Sequence, residues 1–207
     1  MWGAGMTHAH APVAGVILAG GRASRMGGRD KAFAAVAGEP IVVRTVRVFR
    51  SLFPQVLVST NRPARFAALG VQTVADRYPG AGPLAGIHAA MLESRYPHVF
   101  VAACDMPGLD PDVIRLVVAR IGAADAVVPR WDGDVEPLHA VYALRTLPAV
   151  EAALASGRHA MRDFLQTVTV DWVGEAELRA LGGAAASLTN VNTPEDLAGV
   201  GGRFEKP

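Results

Sequence analysis

Apolar runs of strand length alternate with helical periodicities along the whole chain. Val13–Leu18 is a continuous apolar run with no charged residue, the pattern of a strand buried on both faces. Pro40–Arg50 follows a helical period, with Ile41, Val42, Val46 and Phe49 spaced for one face. Strands are expected over Val56–Ser59, Val71–Ala75, Val99–Ala103, Ala126–Pro129, Leu138–Leu144 and Val168–Val173. Helices are expected over Pro63–Leu69, Pro83–Arg95, Pro111–Ile121, Pro148–Ser156, Met161–Thr167 and Glu175–Leu181. Gly70 and Gly122 stop two of them, and Asp110 caps another. Thr193-Pro194 with Asp196 reads as a capping box opening a last helix. This alternation predicts an α/β fold with an open, mostly parallel sheet and helices on both faces.

The expected organisation is one domain over residues 13–200. Residues 1–12, small and polar with no apolar core, read as a disordered extension rather than a secretory signal. Residues 201–207 read as a C-terminal tail. No apolar run reaches the length of a membrane span.

Composition narrows the partners. The chain has 207 residues, is 51% hydrophobic and carries a formal net charge of +1. That balance gives no support for nucleic-acid wrapping. A single cysteine, Cys104, excludes an internal disulfide and a cysteine zinc site. A reducing, cytoplasmic compartment is the default.

The polar chemistry gathers where expected strands end, which is where open α/β sheets bind ligands. Val13–Leu18 runs into Ala19-Gly20-Gly21, then Arg22, Arg25, Gly27-Gly28, Arg29, Asp30 and Lys31. Glycines let backbone amides approach phosphate oxygens, and the cations balance their charge. The spacing matches neither a Walker A loop nor a dinucleotide fingerprint. Taken alone, the loop also fits a glycine-rich turn with solvated arginines. The basic residues number 20, and all except Lys31 and Lys206 are arginines. Lysine at 31 thus stands out as a compact ammonium in a chain that otherwise uses guanidinium.

Other strand ends add to this. Cys104-Asp105-Met106-Pro107 sets a carboxylate where Mg²⁺ could be held against phosphates, or where an Asp simply caps a turn. Gly80–Gly86 allows close backbone approach before a helix N-terminus that can face an anion, although taken alone it reads first as a plain loop-to-helix junction. Asn190 and Asn192, two apart in an extended segment, share one side and could bond one ligand or add an oxygen to a metal, with Asx-turn and capping chemistry as the alternative. Glu136 and His139 lie near a strand, although a lone His is more often structural. Arg158 and Arg162 fit a phosphate contact and a solvated helix start equally well. No nucleophile set is visible: Ser24 has no partnered His, and Cys104 ends an apolar strand.

Taken in order, these segments resemble the molybdenum cofactor guanylyltransferases. The motif residues are Leu18-Ala19-Gly20-Gly21, Ser24-Arg25-Met26-Gly27-Gly28 and Asp30-Lys31, with Ser59–Arg62, Val74–Asp76, Gly82–Gly86, Cys104–Pro107, Glu136–Leu138 and Asn190–Leu197. The resemblance implies a Rossmann-like nucleotidyltransferase domain that transfers GMP from GTP to molybdopterin and releases pyrophosphate. It implies that Leu18, Ala19, Gly20 and Gly21 hold GTP. Lys31 would contact its phosphates, Asn61 and Asp76 its base or ribose, and Asp105 both nucleotide and Mg²⁺. Asn190 and Asn192 fall on the molybdopterin side. Lys31, Asp105 and Arg25 are the expected catalytic residues. Partner proteins would be those that insert molybdopterin or receive it. A cytidylyltransferase, whose signature reads Leu-Ala-Ala-Gly, is the nearest alternative. Another small-molecule nucleotidyltransferase and a GTP-dependent molybdopterin carrier are the others. Gly20, lacking a methyl group, favours guanine.

Overall fold

The computed structural model describes residues 12–20 and 30–204. The extension expected before residue 12, the last residues of the tail, and Gly21 and Arg25 of the glycine-rich loop lie outside the described residues.

The main sheet follows the alternation read from the sequence. Its strands are β1 (Val13–Leu18), β4 (Gln55–Ser59), β5 (Gln72–Val74), β6 (His98–Ala103), β7 (Ala126–Trp131), β9 (His139–Ala143) and β10 (Val170–Val173). They lie in the order β10-β7-β9-β6-β1-β4-β5, with a short β8 (Asp134–Val135) paired to β7. The pairs β5–β4, β4–β1 and β1–β6 are parallel. The chain leaves β1 toward β4 on one side and returns to β6 on the other, the kind of strand-order reversal at which α/β sheets open a ligand crevice.

β9 runs against both β6 and β7. The cause is length. Too few residues separate Trp131 from His139 for the crossover that a parallel return requires. Asp132 and Gly133, both at positive φ, make the tight turn between β7 and β8.

Each face of the sheet carries its own core. Ala14, Val16 and Leu18 of β1 pack with α2 (Pro83–Glu93), α4 (Leu147–Ala155) and α5 (Met161–Leu165). Val13 and Ile17 face the other way, toward α1 (Ile41–Leu52), α3 (Pro111–Ala119), α6 (Glu175–Arg179) and α7 (Ala184–Ser187). The period-2 alternation of side chains along a strand makes this division. Asp110 caps α3 by accepting from the Asp112 amide at 2.7 Å.

A second sheet escapes a pattern-based reading because its strands have two residues each. β2 (Ala35–Val36) and β3 (Glu39–Pro40) form a hairpin through Ala37 and Gly38, both at positive φ. β11 (Gly202–Arg203), within the expected tail, pairs antiparallel with β2. Under it lies a small core of Ala34, Ile41, Val191 and Leu197, the last on α8 (Pro194–Gly199). This core ties the segment after Lys31 to the segment holding Asn190 and Asn192.

Candidate active site

The parallel strands deliver their C-terminal ends side by side, and the ladder continues past them. Ala19 donates its amide to the Ser59 carbonyl at 2.9 Å, Thr60 to Val74 at 2.8 Å, and Cys104 to Leu18 at 3.0 Å. The Leu18 carbonyl and Ala19 amide are therefore committed to the sheet. Among the described residues, the Leu18 carbonyl keeps its second lone pair for a ligand, and the backbone free of these bonds starts at the Ala19 carbonyl and Gly20. Gly86 on α2 allows the helix to close on this edge. A Cβ there would stand 2.7 Å from Ser59 Oγ and 2.9 Å from Leu18 Cδ2. Gly82, at positive φ, precedes that helix, and no side chain caps it.

Lys31 occupies the centre. Asp30 accepts the Ala32 amide at 3.2 Å and starts a single 3₁₀ turn over Lys31–Phe33, pinned by fully buried Ala32. Lys31 Nζ then donates to Asn192 Oδ1 at 3.0 Å and sits 3.5 Å from Asp105 Oδ2. Asp105 follows β6, and its carbonyl accepts the Val191 amide at 2.8 Å. Burial raises the Asp105 carboxyl above its ordinary value, with the Lys31 ammonium opposing that shift. Asp196 Oδ2 accepts the amides of Asn192 and Thr193, each at 2.8 Å, and holds Asn192 in place.

A carboxylate–asparagine pair stands on each flank. On the β4–β5 side, Asn61 Nδ2 donates to Asp76 Oδ2 at 3.1 Å while Asn61 Oδ1 accepts the Asp76 amide at 3.0 Å. Ser59 Oγ donates to the other oxygen, Asp76 Oδ1, at 3.2 Å. On the β8–β9 side, Asn190 Nδ2 donates to Glu136 Oε2 at 3.1 Å, and Glu136 Oε1 accepts the Leu138 amide at 3.3 Å. Burial raises the Glu136 carboxyl, and the nearby Asp105 and Asp134 charges add to the shift.

The chain has counterparts among known proteins. The MobA-like NTP transferase domain model matches residues 15–173. A probable molybdenum cofactor guanylyltransferase of Pelotomaculum thermopropionicum is 38% identical, over 88% of this chain and 89% of that one. This chain belongs to the molybdenum cofactor guanylyltransferase family. A second member, from Pseudomonas putida, is 36% identical over 93% of this chain and 99% of its own length. The crystal structure of molybdopterin-guanine dinucleotide biosynthesis protein A from Archaeoglobus fulgidus superposes with a TM-score of 0.78. It is 26% identical and covers 91% of this chain and 96% of that one. Family membership makes the chain a nucleotidyltransferase with the sheet architecture read from its sequence.

Other candidates resolve differently. His139 is fully buried in β9, bonded through Nε2 to Ser187 Oγ at 3.1 Å and set edge-on to Phe100. Burial pulls its pKa down to about 4, so it is a neutral core residue. Arg162 pairs with Asp134, and Arg158 Nε reaches Ser156 Oγ at 3.2 Å. The two arginines thus bond to different segments and do not converge as a phosphate clamp. Burial, reinforced by the Asp105 and Asp30 charges, pushes the Cys104 thiol far up, consistent with an inert thiol. Two positioning groups were not singled out from the sequence. Ser59 is legible as a hydroxyl two positions before Asn61 at a strand end. Asp196 stands in the Asn190–Leu197 motif and reads from the sequence as a helix cap, and it holds the Asn192 amide as well.

Proposed function

We propose that this enzyme transfers GMP from GTP to molybdopterin, forming the guanine dinucleotide cofactor and pyrophosphate. The observation that carries the reading is the meeting of Lys31, Asp105 and Asn192 between the two flanking pairs, in a chain of this family. A terminal phosphate oxygen of molybdopterin attacks the α-phosphorus of GTP. The bond to the β-phosphate breaks and pyrophosphate leaves. No protein nucleophile is required, only positioning and charge stabilisation. Lys31 is the group suited to the negative charge that builds on the leaving phosphates. Arg25, outside the described residues, is proposed for the same task.

Asp76 and Asn61 take the base or ribose of GTP in this reading, and Leu18 to Gly21 its backbone contacts. Asn190 and Asn192 face molybdopterin. The Asp105 carboxylate and the Asn192 amide oxygen are hard donors drawn together on one ammonium. They fit Mg²⁺, which takes few protein ligands and completes its shell with phosphate oxygens and water. Among the described residues no cluster of three or more His, Cys, Asp or Glu competes for that role. When bound, Mg²⁺ would supply charge neutralisation on the phosphates.

Guanine selectivity is assigned to Gly20. A Cβ at that position would sit 3.7 Å from Asp76 Oδ2, an ordinary contact that the protein itself accommodates. The effect of an added methyl would therefore fall on the bound base. The reading also carries a cytoplasmic setting and handover to proteins that insert or receive the cofactor. Among the described residues no helix is long and apolar enough to cross a membrane.

The test is pyrophosphate release with GTP or CTP in the presence of molybdopterin and Mg²⁺. Turnover with GTP well above CTP is expected. Preference for CTP would instead support the cytidylyltransferase reading, and binding of both substrates without pyrophosphate release would support a carrier.

A further inference from the structure

The Glu136–Asn190 pair has an open side that the Asp76–Asn61 pair lacks. An ionised carboxylate only accepts hydrogen bonds, so Glu136 obliges Asn190 to present its NH₂ group. The Asn190 carbonyl is thereby turned away from Glu136. Among the described residues no group donates to Asn190 Oδ1, whereas Asn61 Oδ1 is closed on the Asp76 amide. Glu136 accepts one bond on each oxygen, from Asn190 and from Leu138, and each oxygen retains a further lone pair, as each Asp76 oxygen does, so the two pairs differ at the asparagine carbonyl. Neither residue is fully buried. Glu136 also lies near enough to Asp105 for the two charges to interact. The pair is thus an acceptor surface beside the reaction centre.

The pterin of molybdopterin carries a 2-amino-4-oxopyrimidine ring, whose ring N–H and adjacent NH₂ are two donors on one edge. The guanine of GTP presents the same edge, but the strand order sets the Glu136–Asn190 pair across the site from the Asp76–Asn61 flank read as the GTP side. We infer that Glu136, with the Asn190 carbonyl it orients, determines specificity for molybdopterin by accepting hydrogen bonds from that N–H/NH₂ edge. This rests on the guanylyltransferase reading above. It assigns Glu136 a role in recognising the second substrate, distinct from any role in holding GTP.

The experiment compares the full-length enzyme with Glu136→Gln in the pyrophosphate-release assay, varying molybdopterin and GTP separately. The amide keeps the shape but removes the charge and one acceptor. Losing a charge-assisted bond raises the molybdopterin KM by about 10- to 100-fold. The GTP KM and the affinity for GTP measured by calorimetry stay at wild-type values. Gln in place of Glu136 with an unchanged molybdopterin KM would overturn the inference. So would a parallel loss for both substrates, which marks a structural role. If Glu136→Gln fails to fold, Asn190→Asp carries the same test. It sets a second carboxylate against Glu136 and should raise the molybdopterin KM selectively, while an unchanged KM or equal losses for both substrates would again overturn the inference. A wild-type enzyme that releases no pyrophosphate from GTP and molybdopterin refutes the function itself, and that outcome is separate from either variant's result.

Discussion

The two carboxylate–asparagine pairs contain the same groups and are wired differently. Asp76 and Asn61 close on each other through two hydrogen bonds, with Ser59 holding the remaining carboxylate oxygen. Glu136 and Asn190 share one bond, and Glu136 spends its other oxygen on the backbone of its own loop. Each carboxylate oxygen on both flanks accepts one bond, so the flanks differ at the asparagines. Asn61 is held through both amide atoms, which lowers the cost of ordering it before a ligand arrives. Asn190 is held through its NH₂ group among the described residues, and its carbonyl is left as a valence for the ligand. The β4–β5 flank is therefore preset, and the β8–β9 flank is completed by what binds there. The difference follows from the backbone. Asp76 and Asn61 come from adjacent parallel strand ends, whereas Glu136 leaves a hairpin and meets a segment 54 positions away.

Breaking what the two flanks share should have the largest effect. Asp105→Ala removes the carboxylate between them and is expected to abolish turnover, read as pyrophosphate release at saturating GTP, molybdopterin and Mg²⁺. Near-wild-type rates would remove Asp105 from the reaction. Lys31→Ala leaves that carboxylate but loses the ammonium bridging it to Asn192. A drop in kcat of about 10²- to 10³-fold is expected, the scale of a lost charge-stabilising donor. A pure rise in KM would show that Lys31 only binds.

A change confined to one flank should act on one substrate. Ser59→Ala deletes the hydroxyl donated to Asp76 and leaves Asn61 in place. One neutral donor to a carboxylate is worth about 1.5 kcal/mol, so the GTP KM should rise roughly tenfold. The molybdopterin KM should not change, and a shift in both would erase the distinction between the flanks.

The sequence revealed the two flanks unequally, for the same structural reason. Asp76 and Asn61 follow strands whose apolar runs are plain, so their meeting follows from a parallel sheet. Asp105 and Lys31 are legible in the same way, each at the end of a motif. The convergence of Asn192 on Lys31, 161 positions earlier, depends on a core of Ala34, Ile41, Val191 and Leu197. That core sits under two-residue strands, too short to show any period. The reversal of β9 was encoded in the short link after Trp131 and in Asp132-Gly133, a hairpin dipeptide. Without that reversal, Glu136 cannot be assigned to the site, because it is the turn back into β9 that brings it beside Asn190.

His139 gives the mildest perturbation, because it lies three residues beyond Glu136 yet belongs to the core. It titrates at about 4 in the folded chain, against an ordinary value near 6.5. Between those values the unfolded chain binds a proton at this residue and the folded chain does not. Stability therefore rises with pH through the window and is lost as pH falls from about 6.5 toward 4, by about 3 kcal/mol from this group. His98, whose pKa burial also lowers, adds loss of the same sign. His139→Gln keeps a polar partner for Ser187 and cannot take up the proton. Its denaturation midpoint should fall less steeply with acid than that of the wild type, with both substrate KM values near wild type at pH 7.5. An acid slope identical to the wild type would mean that His139 takes up its proton as readily in the folded chain as in the unfolded one. In acid it would then be a cation beneath the Glu136 loop, and there the β8–β9 flank would owe its charge balance to the core as well as to its ligand.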